Sequence, residues 1–205
     1  THLVVGQQVV AVGGPLGMAG TVTTGIISAL HRPVVARGNR PDDVSVIDAI
    51  QTDAAINPGS SGGALVDSTG ALIGLIAALA TTGGNYVDGP GGSIGLGFAI
   101  PVEQAMRTAE QLIATGRATH AGLGVTLDPE ERDGARVIDV TPGGPAAAAG
   151  IPRGALVTAV DGRAIASADA LTAALLAKSP GDELFVSYRD AAGNSTSVRV
   201  TLGMQ

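Results

Sequence analysis

The chain has 205 residues, 45% of them hydrophobic, and carries a formal net charge of −6 at pH 7. It contains no cysteine, which excludes disulfide bonds and thiolate metal sites, and no run of basic residues, which argues against nucleic acid as a partner. Aromatic residues make up only 2% of the chain, so the core must be aliphatic, and 31 glycines with 11 prolines indicate the many turns of a β-rich protein. No group of histidines or carboxylates has the spacing of metal ligands, so neither a metal nor a cofactor is expected.

Two apolar stretches predict strands ahead of a glycine-rich segment; they cover residues 9–12 and 21–30, and residues 48–52 lead into that segment. The segment itself, DAAINPGSSGGAL at residues 53–65, places one hydroxyl inside a tight turn. A serine becomes a useful nucleophile when such a turn presents it and nearby backbone N–H groups hold the oxyanion that forms on attack. Ser61 is therefore the predicted nucleophile. The backbone of Gly59, Ser60 and Ser61 is the predicted oxyanion hole, with the amides of Gly59 and Ser61 as donors.

Beyond the serine segment the pattern changes from strands to a helix. Residues 64–66, 72–76 and 94–100 read as strands. Apolar residues then recur at three- and four-residue spacing from Val102 to Ile113, which predicts a helix with Pro101 at its first position and Gly116 after its end. Residues 117–121 are the best linker, so the predicted domains are residues 1–117 and residues 118–205.

The second domain has the pattern of a small α+β unit. Its predicted strands cover residues 124–127, 135–140, 156–160, 184–189 and 196–202. Ser167 has the character of an N-cap for a helix that contains Leu171, Ala174 and Leu175. A shorter helix is predicted over residues 146–149, and Gly150 ends it.

The serine segment fits a known family. TDAAINPG at residues 52–59, followed by SGGAL at residues 61–65, resembles the active-serine segment of HtrA/Deg-type serine proteases. GPLG at residues 14–17 and TVTTGIIS at residues 21–28 resemble the strand pair that precedes the serine, and GLGFAIP at residues 95–101 resembles the end of the protease domain. The resemblance implies a mainly β fold: the second half of a chymotrypsin-like double β-barrel, followed by an α+β PDZ domain. The family usually has asparagine where this chain has Ser60.

The same resemblance implies a function. It is that of a serine endopeptidase which degrades misfolded proteins, as part of protein quality control, the stress response and chaperone action in the bacterial cell envelope. The location implied is extracytoplasmic, either in the periplasm or anchored to the membrane through an N-terminal segment. The partners implied are unfolded polypeptides and further copies of the protein, since the family is commonly trimeric.

The resemblance also predicts that Ser61 lacks its partners within this chain. A serine nucleophile needs a base and a group that orients the base, and in chymotrypsin-like proteases the His and Asp come from the first barrel. The histidines here are His2, His31 and His120, and none has the small-residue context that the family uses for its base. We interpret all three as surface histidines. The chain is therefore expected to be a C-terminal portion, inactive without the N-terminal half of the protease.

By resemblance, Ile56, Leu79 and Ala80 line the first specificity pocket. No aspartate occupies the expected base of this pocket, so a lysine or arginine side chain of the substrate would find no counter-charge. Apolar walls predict cleavage after small aliphatic residues in unfolded proteins. The alternative is that Leu79 and Ala80 only pack the barrel.

The second domain has its own motif. GPAAAAGI at residues 144–151 together with VDG at residues 160–162 resembles bacterial PDZ domains. This implies that the domain binds a peptide C-terminus by strand addition. Amides of the Leu123-Gly124-Val125 segment would hold the terminal carboxylate, and Val125, Leu171 and Leu175 would form the apolar side-chain pocket. The alternative is that these apolar residues belong to the core.

Two other functions compete with the protease. One is a peptide-binding or chaperone-like module that works through the PDZ domain without proteolysis. The other takes GSSGG at residues 59–63 as the nucleophile elbow of an α/β-hydrolase, with Ser61, Asp88 and His120 in the order of that fold. The elbow requires a helix directly after the serine, whereas residues 63–76 indicate two strands.

Overall fold

The computed structural model describes residues 2–37, 44–79 and 93–205. Residue contacts divide the chain into two units between Ile113 and Ala114, four residues before the boundary expected from the sequence. Among the described residues, strands outnumber helices in both units. The mainly β fold predicted from the sequence is confirmed.

Within the described part of the first unit, antiparallel strands close a barrel in the order β1-β2-β3-β6-β5-β4. Alternate residues point inward, as the period of two requires, so that Val9 and Ala11 of the first strand are buried while Val12 is not. Short aliphatic residues fill the interior, because the chain offers almost no aromatics. The strands are β1 Gln8–Gly13, β2 Thr21–Arg37, β3 Val44–Thr52, β4 Ala64–Asp67, β5 Leu72–Leu79 and β6 Gly97–Pro101.

The segment after Ser61 excludes the α/β-hydrolase alternative. Residues 64–67 and 72–79 form the adjacent strands β4 and β5 of the barrel, where the hydrolase elbow would need a helix. Asp88, the acid of that alternative, lies outside the described residues. The interpretation as a nucleophile elbow is therefore wrong.

A helix follows the barrel without a loop. Helix α1, Val102–Thr115, begins one residue later than predicted, because Pro101 still pairs with Gly74 at the end of β6. The sequence pattern thus located the helix, and the sheet determined where it starts.

The second unit is an antiparallel sheet in the order β13-β12-β10-β9-β8, with the longer helix α3 buried along one side. The N-cap prediction is confirmed: the Ser167 hydroxyl accepts a hydrogen bond from the Ala170 N–H at 3.2 Å. Strand β8 lies at the edge of this sheet. The elements are β7 Ala121–Gly122, β8 Val125–Leu127, β9 Ala135–Val140, α2 Pro145–Ala148, β10 Leu156–Val160, β11 Arg163–Ala164, α3 Ala168–Leu176, β12 Glu183–Arg189, β13 Ser195–Thr201 and β14 Gly203–Met204.

One glycine of β2 lets the strand pass against the start of the serine segment. A Cβ atom at Gly25 would collide with Asp53 Oδ1 and with the backbone nitrogen of Ala54. The close approach brings Asp53 Oδ1 to 2.7 Å from the Ile26 N–H, which donates to it. The close approach at Gly25 and the hydrogen bond to Asp53 thereby fix the start of the serine segment against strand β2.

We expect Gly25→Ala to lower the free energy of unfolding of the barrel by roughly 3 kcal/mol, because the backbone it meets cannot move aside. Gly14→Ala is the matched control: a Cβ at Gly14 has its nearest neighbour at 3.6 Å, and its φ of −131° suits any residue. Calorimetric melting of both variants measures the difference. Equal stabilities would show that the Gly25 contact is not needed for the fold.

Candidate active site and peptide groove

The serine segment is built from two consecutive tight turns that share Ser60. The Ser60 N–H donates to Asn57 O at 3.0 Å, and the Gly63 N–H donates to Ser60 O at 3.0 Å. The third residue of each turn has a positive φ, +89° at Gly59 and +83° at Gly62, which is the type II form that glycine favours. Pro-Gly and Ser-Gly at these positions therefore determine the path of the backbone through Ser61.

Both turns are anchored to the barrel. The Gly62 N–H donates to Ile76 O and the Ile76 N–H donates to Gly63 O, each at 2.8 Å, which fixes the second turn to β5. On the β1 side, a Cβ at Gly13 would lie 3.3 Å from the Ser60 side chain, and Ser60 is only 5% exposed. Burying Ser60 on Gly13 leaves its neighbour Ser61 on the outer side of the loop.

Ser61 is exposed, and its hydroxyl donates to Ala77 O at 3.4 Å. Ala77 belongs to β5, the strand to which the loop is anchored. A hydroxyl that is held at the surface by a rigid turn has the access to substrate that a nucleophile requires.

The orientation of the loop amides follows from the planar trans peptide, in which C=O and N–H point in opposite directions. Pro58 O accepts a hydrogen bond from the Leu16 N–H at 3.1 Å, and Ser60 O accepts from Gly63. The N–H groups of Gly59 and Ser61 therefore point away from these contacts. The Ser60 N–H is itself used in the first turn, so among these three residues only the N–H groups of Gly59 and Ser61 have the orientation predicted for oxyanion donors.

Among the three residues predicted to line the first specificity pocket, Ile56 is the one whose side chain the structure describes. It is 2% exposed and packs over β6, where a Cβ at Gly97 would lie 2.5 Å from its Cγ1. The backbone of Leu79 pairs with the same Gly97 from β5, and Ala80 lies outside the described residues. The lack of a side chain at Gly97 lets Ile56 approach the strand.

The three histidines of the chain lie in environments other than the serine loop. His31 Nδ1 lies 2.9 Å from Asp48 Oδ2, with the imidazole 63% exposed and the carboxylate 2% exposed. Asp48 lies four strand residues, or about 13 Å, ahead of Thr52, the last residue of β3 before the serine segment. His31 and His2 line one cavity at this part of the barrel, and His120 belongs to the second unit. The interpretation of His31 as a surface histidine missed its bond to a buried carboxylate.

The second unit contains a cavity of about 310 Å³ between β8 and α3. Its walls are mostly aliphatic. All five residues predicted from the PDZ resemblance line it, and so do several that were not predicted. The lining consists of Leu123, Gly124, Val125, Leu171 and Leu175, together with His120, Ala121, Leu127, Thr172, Leu176 and Gln205.

Two backbone N–H groups at one end of this groove are oriented to donate hydrogen bonds. Leu123 O accepts from the Ala146 N–H and Gly124 O from the Thr141 N–H, both at 2.8 Å. Because a trans peptide directs its N–H opposite to its C=O, the N–H groups of Gly124 and Val125 point away from these partners, and both residues line the groove. Gly124 has a φ of +68°, which explains the need for glycine.

Two further findings concern only the described residues. They contain no group of three or more histidines, aspartates or glutamates that could hold a metal ion. None of their helices has the length and apolar character needed to cross a membrane.

Comparison with known proteins finds a family for each unit. A trypsin-like peptidase domain matches residues 1–75, and a PDZ domain matches residues 121–201. Serine protease PepD of Mycobacterium tuberculosis is 54% identical over 99% of this chain. A probable periplasmic DegP-like serine endoprotease of Halomonas elongata is 39% identical over 98%.

The chain belongs to the HtrA family of serine proteases. Among solved structures, the HtrA-type protease AlgW with a decapeptide matches 99% of the chain with a TM-score of 0.59 and 33% identity. The serine endoprotease of Yersinia pestis matches with a TM-score of 0.52 and 32% identity. These matches confirm the HtrA resemblance read from the serine and PDZ motifs.

The HtrA chain described here spans less than half the length of the curated relatives it matches, 44% of PepD and 42% of the Halomonas protein. It covers 62% of the AlgW chain and 64% of the Yersinia chain. The Ser61 loop lies inside the trypsin-like match and the groove inside the PDZ match.

Proposed function

We propose that this chain provides the nucleophile and the PDZ domain of a serine endopeptidase. The observation that carries the proposal is the exposed Ser61 on a double type II turn, with the amides of Gly59 and Ser61 turned away from the loop's internal bonds. Such an arrangement can attack a carbonyl and hold the resulting oxyanion. The proposal assigns residues 1–117 to the protease barrel with its closing helix, and residues 118–205 to the PDZ domain.

The general base and its orienting acid come, in this proposal, from polypeptide outside these 205 residues. His31 is bonded to Asp48 on the β2–β3 pair and His120 lines the peptide groove, so each is committed to another place in the fold. The relatives are more than twice as long as the matched segment. The N-terminal half of the protease is thus the first partner of this chain, and the chain alone is inactive.

The substrates proposed are unfolded polypeptides, cut after small aliphatic residues. Support comes from Ile56, an aliphatic side chain buried against Gly97 beside the backbone of Leu79. Leu79 and Ala80 complete the wall in this proposal. Aliphatic walls favour valine, alanine, isoleucine or leucine over a cationic side chain.

Quality control of misfolded proteins in the cell envelope is the proposed setting. Relatives from Halomonas, Chlamydia and Brucella are named as probable periplasmic endoproteases, which supports an extracytoplasmic location. We also propose the trimeric assembly of the family. Hydrolysis of unfolded casein by the full-length protein is the test of the enzymatic function, and cleavage mainly after lysine or arginine would contradict the pocket.

Peptide binding without proteolysis is the second candidate function. The aliphatic groove beside the edge strand β8, with the N–H groups of Gly124 and Val125 on its side, favours it. An extended peptide can add to such an edge and place its C-terminal carboxylate on the amides.

We expect an N-acetylated hexapeptide that ends in valine to bind the 205-residue chain at least tenfold more tightly with a free carboxylate than as a carboxamide. The reason is that hydrogen bonds from amides to a charged acceptor are worth about 1.5–3 kcal/mol. Isothermal titration calorimetry with both peptides measures the ratio. Equal affinities would show that the groove does not recognise the terminal carboxylate of the peptide.

A further inference from the structure

The peptide groove contains few polar side chains. Among the residues that line it, only His120, Thr172 and Gln205 carry one, and none is a lysine, arginine, aspartate or glutamate. A ligand carboxylate in the groove would meet backbone dipoles and no permanent cation. His120 is the one lining residue with an imidazole, the side-chain type whose charge ordinarily changes between pH 8 and pH 5.

The position of His120 is set by the short ribbon that borders the groove. Its C=O accepts from the Gln205 N–H at 2.9 Å, and its N–H donates to Gln205 O at 3.5 Å. Strand β7 follows immediately, pairs with β14, and leads into Leu123 and Gly124. The ribbon thus places His120 only a few residues ahead of the amides that are oriented toward a carboxylate.

The imidazole itself is available to a ligand. His120 is exposed, and its bonds to the described residues are those of its backbone. A cavity of about 310 Å³ is about 8 Å across if it is spherical. His120 and Gly124 both line this cavity, and a charge on the imidazole would act on a carboxylate bound at the Gly124 amide.

We propose that His120 is a specificity-determining residue of the groove, which in its protonated form favours peptides with a free C-terminal carboxylate. This inference rests on the proposed peptide binding and adds a pH dependence to it. An attraction over about 8 Å at an exposed site, with an effective dielectric constant of about 45, strengthens binding roughly fivefold. Affinity for the carboxylate peptide therefore rises as the pH falls, and affinity for the carboxamide peptide does not.

The experiment is a calorimetric titration at pH 5.5 and at pH 8, with the N-acetylated hexapeptide ending in valine and with its carboxamide. The peptide carboxylate stays ionised at both pH values, because an α-carboxyl group has a pKa near 3.5. All protein forms carry two glycines after Gln205, which keep a terminal carboxylate away from the imidazole. We expect roughly fivefold tighter binding of the carboxylate peptide at pH 5.5.

Two substitutions and one control assign the effect to His120. His120→Gln should bind equally at both pH values with the weaker affinity, and His120→Lys should bind equally with the stronger. His2→Gln, an exposed histidine of the barrel, should keep the pH dependence of the parent. Dependence that persists in His120→Gln, or that is absent from the parent while the peptide still binds, overturns the inference. No binding of either peptide at any pH would instead refute the proposed peptide-binding function.

Discussion

Replacing Ser61 by alanine is expected to lower kcat of the full-length protein on unfolded casein by roughly 10⁴-fold or more, with little change in KM. The substitution removes the nucleophile but leaves both turns intact, since these are held by Gly59, Gly62 and backbone hydrogen bonds. The acyl step becomes impossible, and only stabilisation by the oxyanion donors and by binding remains. Casein turnover measured for both proteins under identical conditions gives the ratio.

The matched control is Ser68→Ala, which removes an exposed hydroxyl from the β4–β5 turn of the same barrel and should leave kcat unchanged. The 205-residue chain without its N-terminal half should show no casein turnover that depends on Ser61. If the Ser61→Ala protein retained more than a tenth of the parent kcat, the hydroxyl would not be the nucleophile. If the short chain turned over casein through Ser61, the base would lie within these residues.

Local sequence was enough to predict the serine loop, because its shape depends on neighbouring residues. Pro58-Gly59 and Ser61-Gly62 determine two type II turns without help from distant parts of the chain. The helix α1 and the cap at Ser167 were predictable for the same reason, since their signals lie within one or two helical turns. Several strands followed from short apolar runs, although β2 extends beyond the predicted residues 21–30 to Arg37.

Contacts between distant residues could not be predicted in this way. The bond from His31 to Asp48 joins residues 17 positions apart across the β2–β3 pair. The bond from Ile26 to Asp53 joins residues 27 apart. Both depend on strand register, which a single sequence fixes only through its turns. His120 lies at the groove because the strand that follows it, β7, pairs with β14 at the C-terminal end of the domain. This ribbon consists of two residue pairs, and it has no recognisable sequence pattern.

The groove leucines show why a core position and a ligand-contacting position are hard to separate by sequence. Leu171 is 0% exposed and belongs to the hydrophobic core of the second unit, yet it also lines the cavity. A buried side chain at the floor of a groove packs on one side and faces the ligand on the other. Leu171 therefore belongs to the core, as one alternative held, and also lines the cavity that the PDZ resemblance predicts as the peptide pocket.

The Gly59→Ala substitution is expected to lower kcat of the full-length protein roughly 10²-fold, a loss typical of one displaced oxyanion donor. A Cβ at Gly59 would lie 3.1 Å from the Leu16 nitrogen and 3.3 Å from Gly14 O. The Leu16 N–H holds the Pro58 carbonyl, and that carbonyl shares its peptide plane with the Gly59 N–H. Pushing Leu16 away rotates the plane and moves the donor from the oxyanion.

The control for backbone strain is Gly70→Ala. Gly70 has a φ of +84°, close to the +89° of Gly59, but a Cβ there has no neighbour within 4 Å. Both substitutions carry the left-handed penalty of about 1–2 kcal/mol in stability, and only Gly59→Ala also displaces the loop. Casein kinetics and thermal melting of the two variants therefore separate strain from catalysis: both should melt earlier, and Gly70→Ala should keep the parent kcat. Equal losses of kcat would mean that strain in the barrel, and not the Gly59 amide, accounts for the defect.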